Sequence, residues 1–177
     1  MEIRQYQPTD QEAVWALHHL ALGETGADLG SGPWYDDLYH IEQIYLKNQG
    51  EFLVGVHQGC IVAMGALRRT THERAEMKRM RVAPDFQGQG FGQRILLALE
   101  ARAVALGYAI LHLDTSTLQV AAQHLYRKKC ISYAKYPFID GVERGGNYQY
   151  RIGFGQDIGC PRKFVIAAHR VTCQFGK

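Results

Sequence analysis

Between Arg81 and Gly92 the chain reads Arg81-Val82-Ala83-Pro84-Asp85-Phe86-Gln87-Gly88-Gln89-Gly90-Phe91-Gly92. A strand ends, glycines follow, and a helix begins. At such a turn backbone N–H groups point outward with no helical acceptor, and the helix dipole adds positive potential, so the segment suits an anion. Glycine also lets the backbone come close to a phosphate. The residue types narrow the ligand. A dinucleotide fingerprint G-x-G-x-x-G is met at Gly88 and Gly90 but fails at Gln93, and the Gly-Lys-Ser/Thr of a Walker A loop is absent. What remains is Gln87-x-x-Gly90-x-Gly92; taken alone, it also reads as a tight turn and nothing more. The other reactive side chains form no constellation. His18, His19, His57, His72, His112 and His124 show no metal spacing, and Cys60, Cys130, Cys160 and Cys173 are scattered, so free thiols and no metal are expected. His112, on an apolar strand, reads as a satisfied core residue.

Gln87-x-x-Gly90-x-Gly92 resembles the Q/R-x-x-G-x-G/A turn with which the GNAT N-acetyltransferases hold the pyrophosphate of coenzyme A. Met80-Arg81-Val82-Ala83-Pro84 resembles that family's hydrophobic-x-Val-x-Pro lead-in. Downstream, Gln119-x-x-Ala122-x-x-Leu125-Tyr126-x-Lys128-x-Cys130-Ile131 is similar to the family's N-x-x-A-x-x-L-Y-x-K-x-G-F, matching at Ala122, Leu125, Tyr126 and Lys128. It departs at Gln119, which keeps an amide, at Ile131, which keeps bulk, and at Cys130, where the family has glycine. The resemblance runs from about Ile3 to Tyr136, with its strong motifs from Glu76 onward.

The resemblance implies acetyl-coenzyme A as cosubstrate. It would be held by Gln87, Gly88, Gln89, Gly90, Phe91, Gly92 and Gln119, with the backbone at Met80 and Val82 bonding the pantetheine arm like a neighbouring strand. Acetyl transfer to an amine needs a neutral amine, a polarised thioester carbonyl and a proton for the departing thiolate. The resemblance puts Tyr126 in the general-acid position and strand N–H groups near Met80 on the carbonyl. Glu76 matches the general-base glutamate of the histone-acetyltransferase branch; an ion-paired glutamate beside Lys78 is the alternative. The acceptor, a small-molecule or peptide amine, would lie under the first loop, which offers Glu24, Asp28, Trp34, Tyr35, Asp36 and Asp37. Acid and aromatic faces there suit a cation; a solvated loop whose Trp34 and Tyr35 cap the core is the other reading. A non-catalytic acyl-coenzyme A-binding module or an interaction protein remains open beside the enzyme.

These residues need elements to carry them. Thr9-Asp10-Gln11-Glu12 has the form of a capping box ahead of Ala13, Val14, Leu17, Leu20 and Ala21 at helical spacing, with Gly23 as the stop. A second helix is expected from Asp36-Asp37 to about Asn48, with Leu38, Ile41, Ile44 and Tyr45 on one face. Phe52–Val56 and Ile61–Leu67 read as a hairpin. A third strand runs from about Glu76 to Val82, although Lys78, Arg79 and Arg81 spoil its alternation. A long helix follows from Gly90, with Ile95, Leu99, Ala103 and Leu106 inward and Gly107 as its stop. Ala109–Asp114 reads as a buried strand, and Thr115-Ser116-Thr117 as the cap of a helix reaching Lys129. Tyr133–Phe138 and Tyr148–Phe154 read as further strands. The fold class is α/β (α+β): by resemblance, a mixed, mostly antiparallel central sheet flanked by helices, with a splay between the middle strands.

The 177 residues suit one domain over 1–153 with a C-terminal extension over 154–177. The composition, 46% apolar and 21% charged, is that of a soluble globular protein. The net charge of +3 sits in the extension, where Arg162, Lys163, Arg170 and Lys177 face only Asp157, so the body is about neutral. No basic run points to nucleic acid. No apolar run reaches the roughly 20 residues of a membrane span, and Met1–Tyr6 lacks the apolar core of a signal peptide. A cytoplasmic location is expected. The extension, with strand-like Phe164–Ala168, is expected to pack on a sheet edge or on a partner subunit in a homodimer.

Overall fold

The architecture was read from a computed structural model that describes residues 1–23, 33–116, 118–128, 132–136 and 147–153. The strands are β1 (Glu2–Gln5), β2 (Glu51–His57), β3 (Cys60–Arg69), β4 (Arg74–Val82), β5 (Ile110–Ser116), β6 (Ser132–Tyr136) and β7 (Asn147–Gly153). They form one sheet in the order β1-β2-β3-β4-β5-β7-β6. Every pairing is antiparallel except β4 with β5. The helices are α1 (Gln11–Gly23), α2 (Asp36–Tyr39), α3 (Ile41–Ile44), α4 (Phe91–Ala105) and α5 (Val120–Lys128).

Period-two alternation gives the sheet two apolar faces. Leu53, Ala63, Leu67, Ala75 and Met77 pack with Ile95, Leu96, Leu99 and Ala103 of α4 and Tyr126 of α5. Phe52, Val54, Val62, Met64 and Ala66 pack with Val14 and Leu17 of α1, Leu38 of α2 and Ile41 of α3. The result is a three-layer sandwich.

Two features of β4 shape everything that follows. It pairs with β5 only over Arg74–Glu76 against Ile110–His112, after which the two strands diverge. This is the expected splay. In addition, β4 carries one extra residue: Arg81 pairs with Met64 and Lys78 with Ala66, so three steps along β4 match two along β3. The extra residue forms a β-bulge with Arg79 at φ +54°. The bulge explains the spoiled alternation. Ala75 and Met77 face α4 before it, and Met80 and Val82 do so after it, so odd positions hand over to even ones. Gly65 lies opposite. A Cβ there would sit 2.6 Å from Met80 Sδ and 2.7 Å from Ile95 Cγ2, so only glycine admits the bulge and α4 together.

Three expectations change. First, β1 is a strand that the sequence did not announce; its Glu-Ile-Arg-Gln has no run of apolar residues and is defined by pairing with β2. Second, the capping interaction lies two residues earlier than Thr9 and Glu12, at Gln7 and Asp10. Gln7 N–H donates to Asp10 Oδ2 at 2.8 Å, and Arg4 grips the same carboxylate at 2.7 and 2.8 Å. Third, the second helix is broken at His40, with φ −128° and ψ 40°, because α2 is tied to β4 while Ile41 and Tyr45 remain in the core. The strands near Tyr133 and Tyr148 and the helix after Gln119 are present. Phe138, Cys130, Ile131, Thr117, Lys129, the loop residues Glu24 and Asp28, and the extension 154–177 lie outside the described residues.

Candidate active site

The wedge between β4 and β5 opens into two clefts. The larger, about 420 Å³, runs along Met80 and Val82 to the glycine turn, where Gln87, Gly88, Gly90, Phe91 and Gly92 line it, and is closed by Gln119 and Tyr126 of the α5 region. The smaller, about 240 Å³, is lined by Glu76, Lys78, Arg79, Asp114 and Thr115. Met80, Arg81, Gln119 and Tyr126 border both.

The turn has the geometry of an anion cradle. Gly88 and Gly90 have φ +74° and +80°, and Gly90 serves as N-cap of the 15-residue α4 with no side chain bonded to its first turn. The N–H groups of that turn are therefore available to an external acceptor. A Cβ at Gly88 or Gly90 would touch nothing within 4 Å, so the space above the backbone is open. Gln87 Nε2 donates to the Val82 carbonyl at 3.3 Å and Gln89 Nε2 to the Asp85 carbonyl at 2.9 Å. Gln89 thus shapes the turn and does not line the cleft. These residues fit a pyrophosphate at the helix start and a pantetheine arm along Met80–Val82. Gly90→Ala is expected to weaken coenzyme A binding about tenfold or more, through left-handed strain and a poorer approach to charge-assisted donors. Titration calorimetry checks this; undiminished affinity would show that the turn does not contact the ligand.

At the crossing point Tyr126 is 3% exposed. Gln119 is held by Thr115, whose Oγ1 donates to Oε1 at 3.2 Å. Glu76 does line the smaller cleft, yet both of its oxygens are engaged. Arg68 Nε donates to Oε2 at 3.0 Å and Nη2 at 2.5 Å, while Lys78 Nζ lies 3.4 Å from Oε1.

Of the loop residues expected at the acceptor site, Trp34 and Asp36 are exposed and Tyr35 is buried. Among the described residues none of the three lines either cleft. The neighbour Asp37 turns inward instead. Arg79 takes its carboxylate through Nε at 2.8 Å and through Nη2. Arg79 Nη2 also donates to the Trp34 carbonyl at 2.6 Å, and the guanidinium lies 5.3 Å from the Tyr35 ring centre. The Tyr45 hydroxyl donates to Asp37 as well. Burial pushes the Asp37 pKa up, but the Arg79 hydrogen bonds and charge and the Tyr45 hydroxyl outweigh it and hold it below the ordinary value. Burial next to Asp37 raises the Tyr45 phenol. Arg79 and Arg81, absent from the residues singled out above, are the site's unforeseen members; their only trace in the sequence was the spoiled alternation of β4.

Among the described residues no group of three or more His, Cys, Asp or Glu is placed to hold a metal ion, and no helix is long and apolar enough to cross a membrane.

Residues 14–130 match the model of the acetyltransferase (GNAT) family. An N-acetylaspartate synthetase from Xenopus tropicalis is 30% identical over 111 residues, covering 60% of this chain and 41% of that protein. The human protein of that name is covered over 31% of its length, so this chain spans less than half of these curated relatives. Among solved structures, an acetyltransferase from Streptococcus agalactiae superposes with a TM-score of 0.74 at 19% identity, over 85% of this chain and 96% of that one. A Salmonella typhimurium structure containing its cofactor acetyl-CoA gives a TM-score of 0.70 at 17% identity, over 89% and 96%.

Proposed function

The chain belongs to the acetyltransferase (GNAT) family, and on that footing we propose that it moves an acetyl group from acetyl-coenzyme A to an amine by direct attack. The observation that carries this reading is the pair of clefts meeting at Met80, Arg81, Gln119 and Tyr126. One cleft fits the donor and the other is left for the acceptor. A structural neighbour contains acetyl-CoA, and the curated relatives are named for an N-acetylated product, which supports this donor and an amine acceptor.

Each part of the chain then has a task. The glycine turn binds the pyrophosphate, and the backbone of Met80–Val82 aligns the pantetheine arm and turns N–H groups toward the thioester carbonyl. The amine nitrogen bonds to the carbonyl carbon, the C–S bond breaks, and one amine proton leaves through the open acceptor cleft to solvent. Tyr126 gives its phenolic proton to the departing thiolate and is reprotonated by solvent. Glu76, gripped by Arg68 and Lys78, fixes β3 against β4; this reading does not use it as the base. Glu76→Gln is accordingly expected to cost about 1 kcal/mol of stability with kcat/KM little changed. A large fall in kcat/KM with loss of the acidic limb of its pH profile would instead make Glu76 the proton acceptor.

The test of the proposal is thiol release from acetyl-coenzyme A across a panel of amines, with product mass confirming N-acetylation. Tight coenzyme A binding without thiol release for any amine would favour the non-catalytic binding module.

A further inference from the structure

We infer that the acceptor carries a carboxylate beside its amine and that Arg81 holds that carboxylate; the inference rests on the acetyl-transfer reading above. Three cations, Lys78, Arg79 and Arg81, line the smaller cleft. Lys78 faces Glu76 and Arg79 is bound to Asp37. Arg81 has no carboxylate partner among the described residues. One of its nitrogens, Nη1, donates to the Met80 carbonyl at 2.8 Å. Among the described residues its Nε is shut off from solvent and meets no acceptor.

A buried charged donor left unpaired is costly, and folded proteins keep few of them. A ligand that brings its own anionic acceptor removes the cost. Burial and the nearby Arg79 pull the guanidinium pKa down to about 10, so it is still a cation at neutral pH. Guanidinium and carboxylate are matched in shape and bond through two parallel donors.

The position is as informative as the charge. Arg81 borders both clefts, in company with Met80 and Tyr126. A carboxylate held there leaves an amine on the neighbouring carbon beside the residues that receive the thioester. Asp37 offers no free charge to a cationic acceptor, since Arg79 neutralises it. Amino acids and related amino carboxylates are the acceptor class this arrangement takes.

The test uses the whole chain loaded with coenzyme A. Succinate, which has carboxylates and no amine, is titrated by calorimetry into wild type, Arg81→Gln and Arg81→Lys. Binding to wild type is expected to weaken on the order of 10- to 100-fold in Arg81→Gln, the loss of a charge-assisted bond, and to be partly retained in Arg81→Lys. Thermal melts confirm that each variant is folded. In parallel, amino carboxylates and their carboxamides are compared as acceptors. Wild type should prefer the carboxylates through KM, and Arg81→Gln should erase that preference. Equal use of carboxylate and carboxamide, or succinate binding that is absent or indifferent to Arg81, would overturn the inference. Succinate binding that depends on Arg81 with no thiol release for any amine would uphold the subsite and defeat acetyl transfer.

Discussion

Tyr126→Phe is expected to lower kcat by about 100-fold or more, the usual contribution of a positioned proton donor, while the KM for acetyl-coenzyme A stays nearly constant. The change removes one oxygen. The ring remains in the α4-side core, where Tyr126 packs as a buried residue, so folding and the shape of both clefts are preserved. The proton for the leaving thiolate is lost. An effect on kcat and kcat/KM alike, with binding intact, is the signature of an interaction made only in the transition state. Steady-state kinetics with coenzyme A calorimetry separate the two quantities. Turnover equal to wild type would assign the proton to another group or to water. A raised KM at constant kcat would reduce Tyr126 to a wall against which the cosubstrate packs.

Arg79→Leu should be the most destabilising of these substitutions, by about 3–5 kcal/mol, because it strands the Asp37 carboxylate without its partner. Both side chains are only 9% exposed. Arg79 also occupies a left-handed conformation, which costs a residue with a Cβ roughly 1–2 kcal/mol. The ion pair with Asp37, the Trp34 carbonyl bond and the Tyr35 ring hold it there. Without them the bulge loses its anchor, and Met80 and Arg81, which follow it, lose their placement; activity should fall with stability. Denaturant unfolding checks the first claim. The double variant Arg79→Leu with Asp37→Leu should recover much of the loss, since no charge is then left buried and alone. If Arg79→Leu unfolds like wild type, the ion pair does not anchor the bulge.

The same pair gives a pH dependence with a definite sign. The folded pKa of Asp37 lies below its ordinary value of 3.8, so its contribution is complete above that value and fades as pH falls toward the folded one. Asp10, lowered chiefly by its hydrogen bonds from Arg4, adds to the same acid limb. Asp37→Asn should therefore flatten part of the loss of stability in acid and leave the part due to Asp10.

Local pattern carried much of this protein. The helix α4, its glycine start and its stop at Gly107 follow from spacing and from residues that only certain backbone angles admit. The hairpin β2–β3 and strand β5 follow from apolar runs. The turn Gln87-x-x-Gly90-x-Gly92 and the tyrosine of α5 were legible as a candidate donor site through their resemblance to the family's short motifs. The edge strand β1 was not, because pairing with β2, and no feature of Glu2–Gln5 alone, makes it a strand.

The acceptor side shows the limit most sharply. The sequence offered Asp36 and Asp37 with Trp34 and Tyr35 as one acidic, aromatic face. Which aspartate turns inward depends on Arg79, 42 residues away in the chain, and such a long-range ion pair leaves no local periodicity to read. In the same way, the bulge in β4 appeared only as charges on the wrong parity. By itself the sequence determined the motifs that resemble the family's, most of the elements and the candidate donor turn. The tertiary structure decided that Glu76 is engaged by Arg68 and Lys78, that Asp37 is neutralised, and that Arg81, where the two clefts meet, has no carboxylate partner among the described residues. The physical reason is that a charge's role is set by which opposite charge folding brings to it.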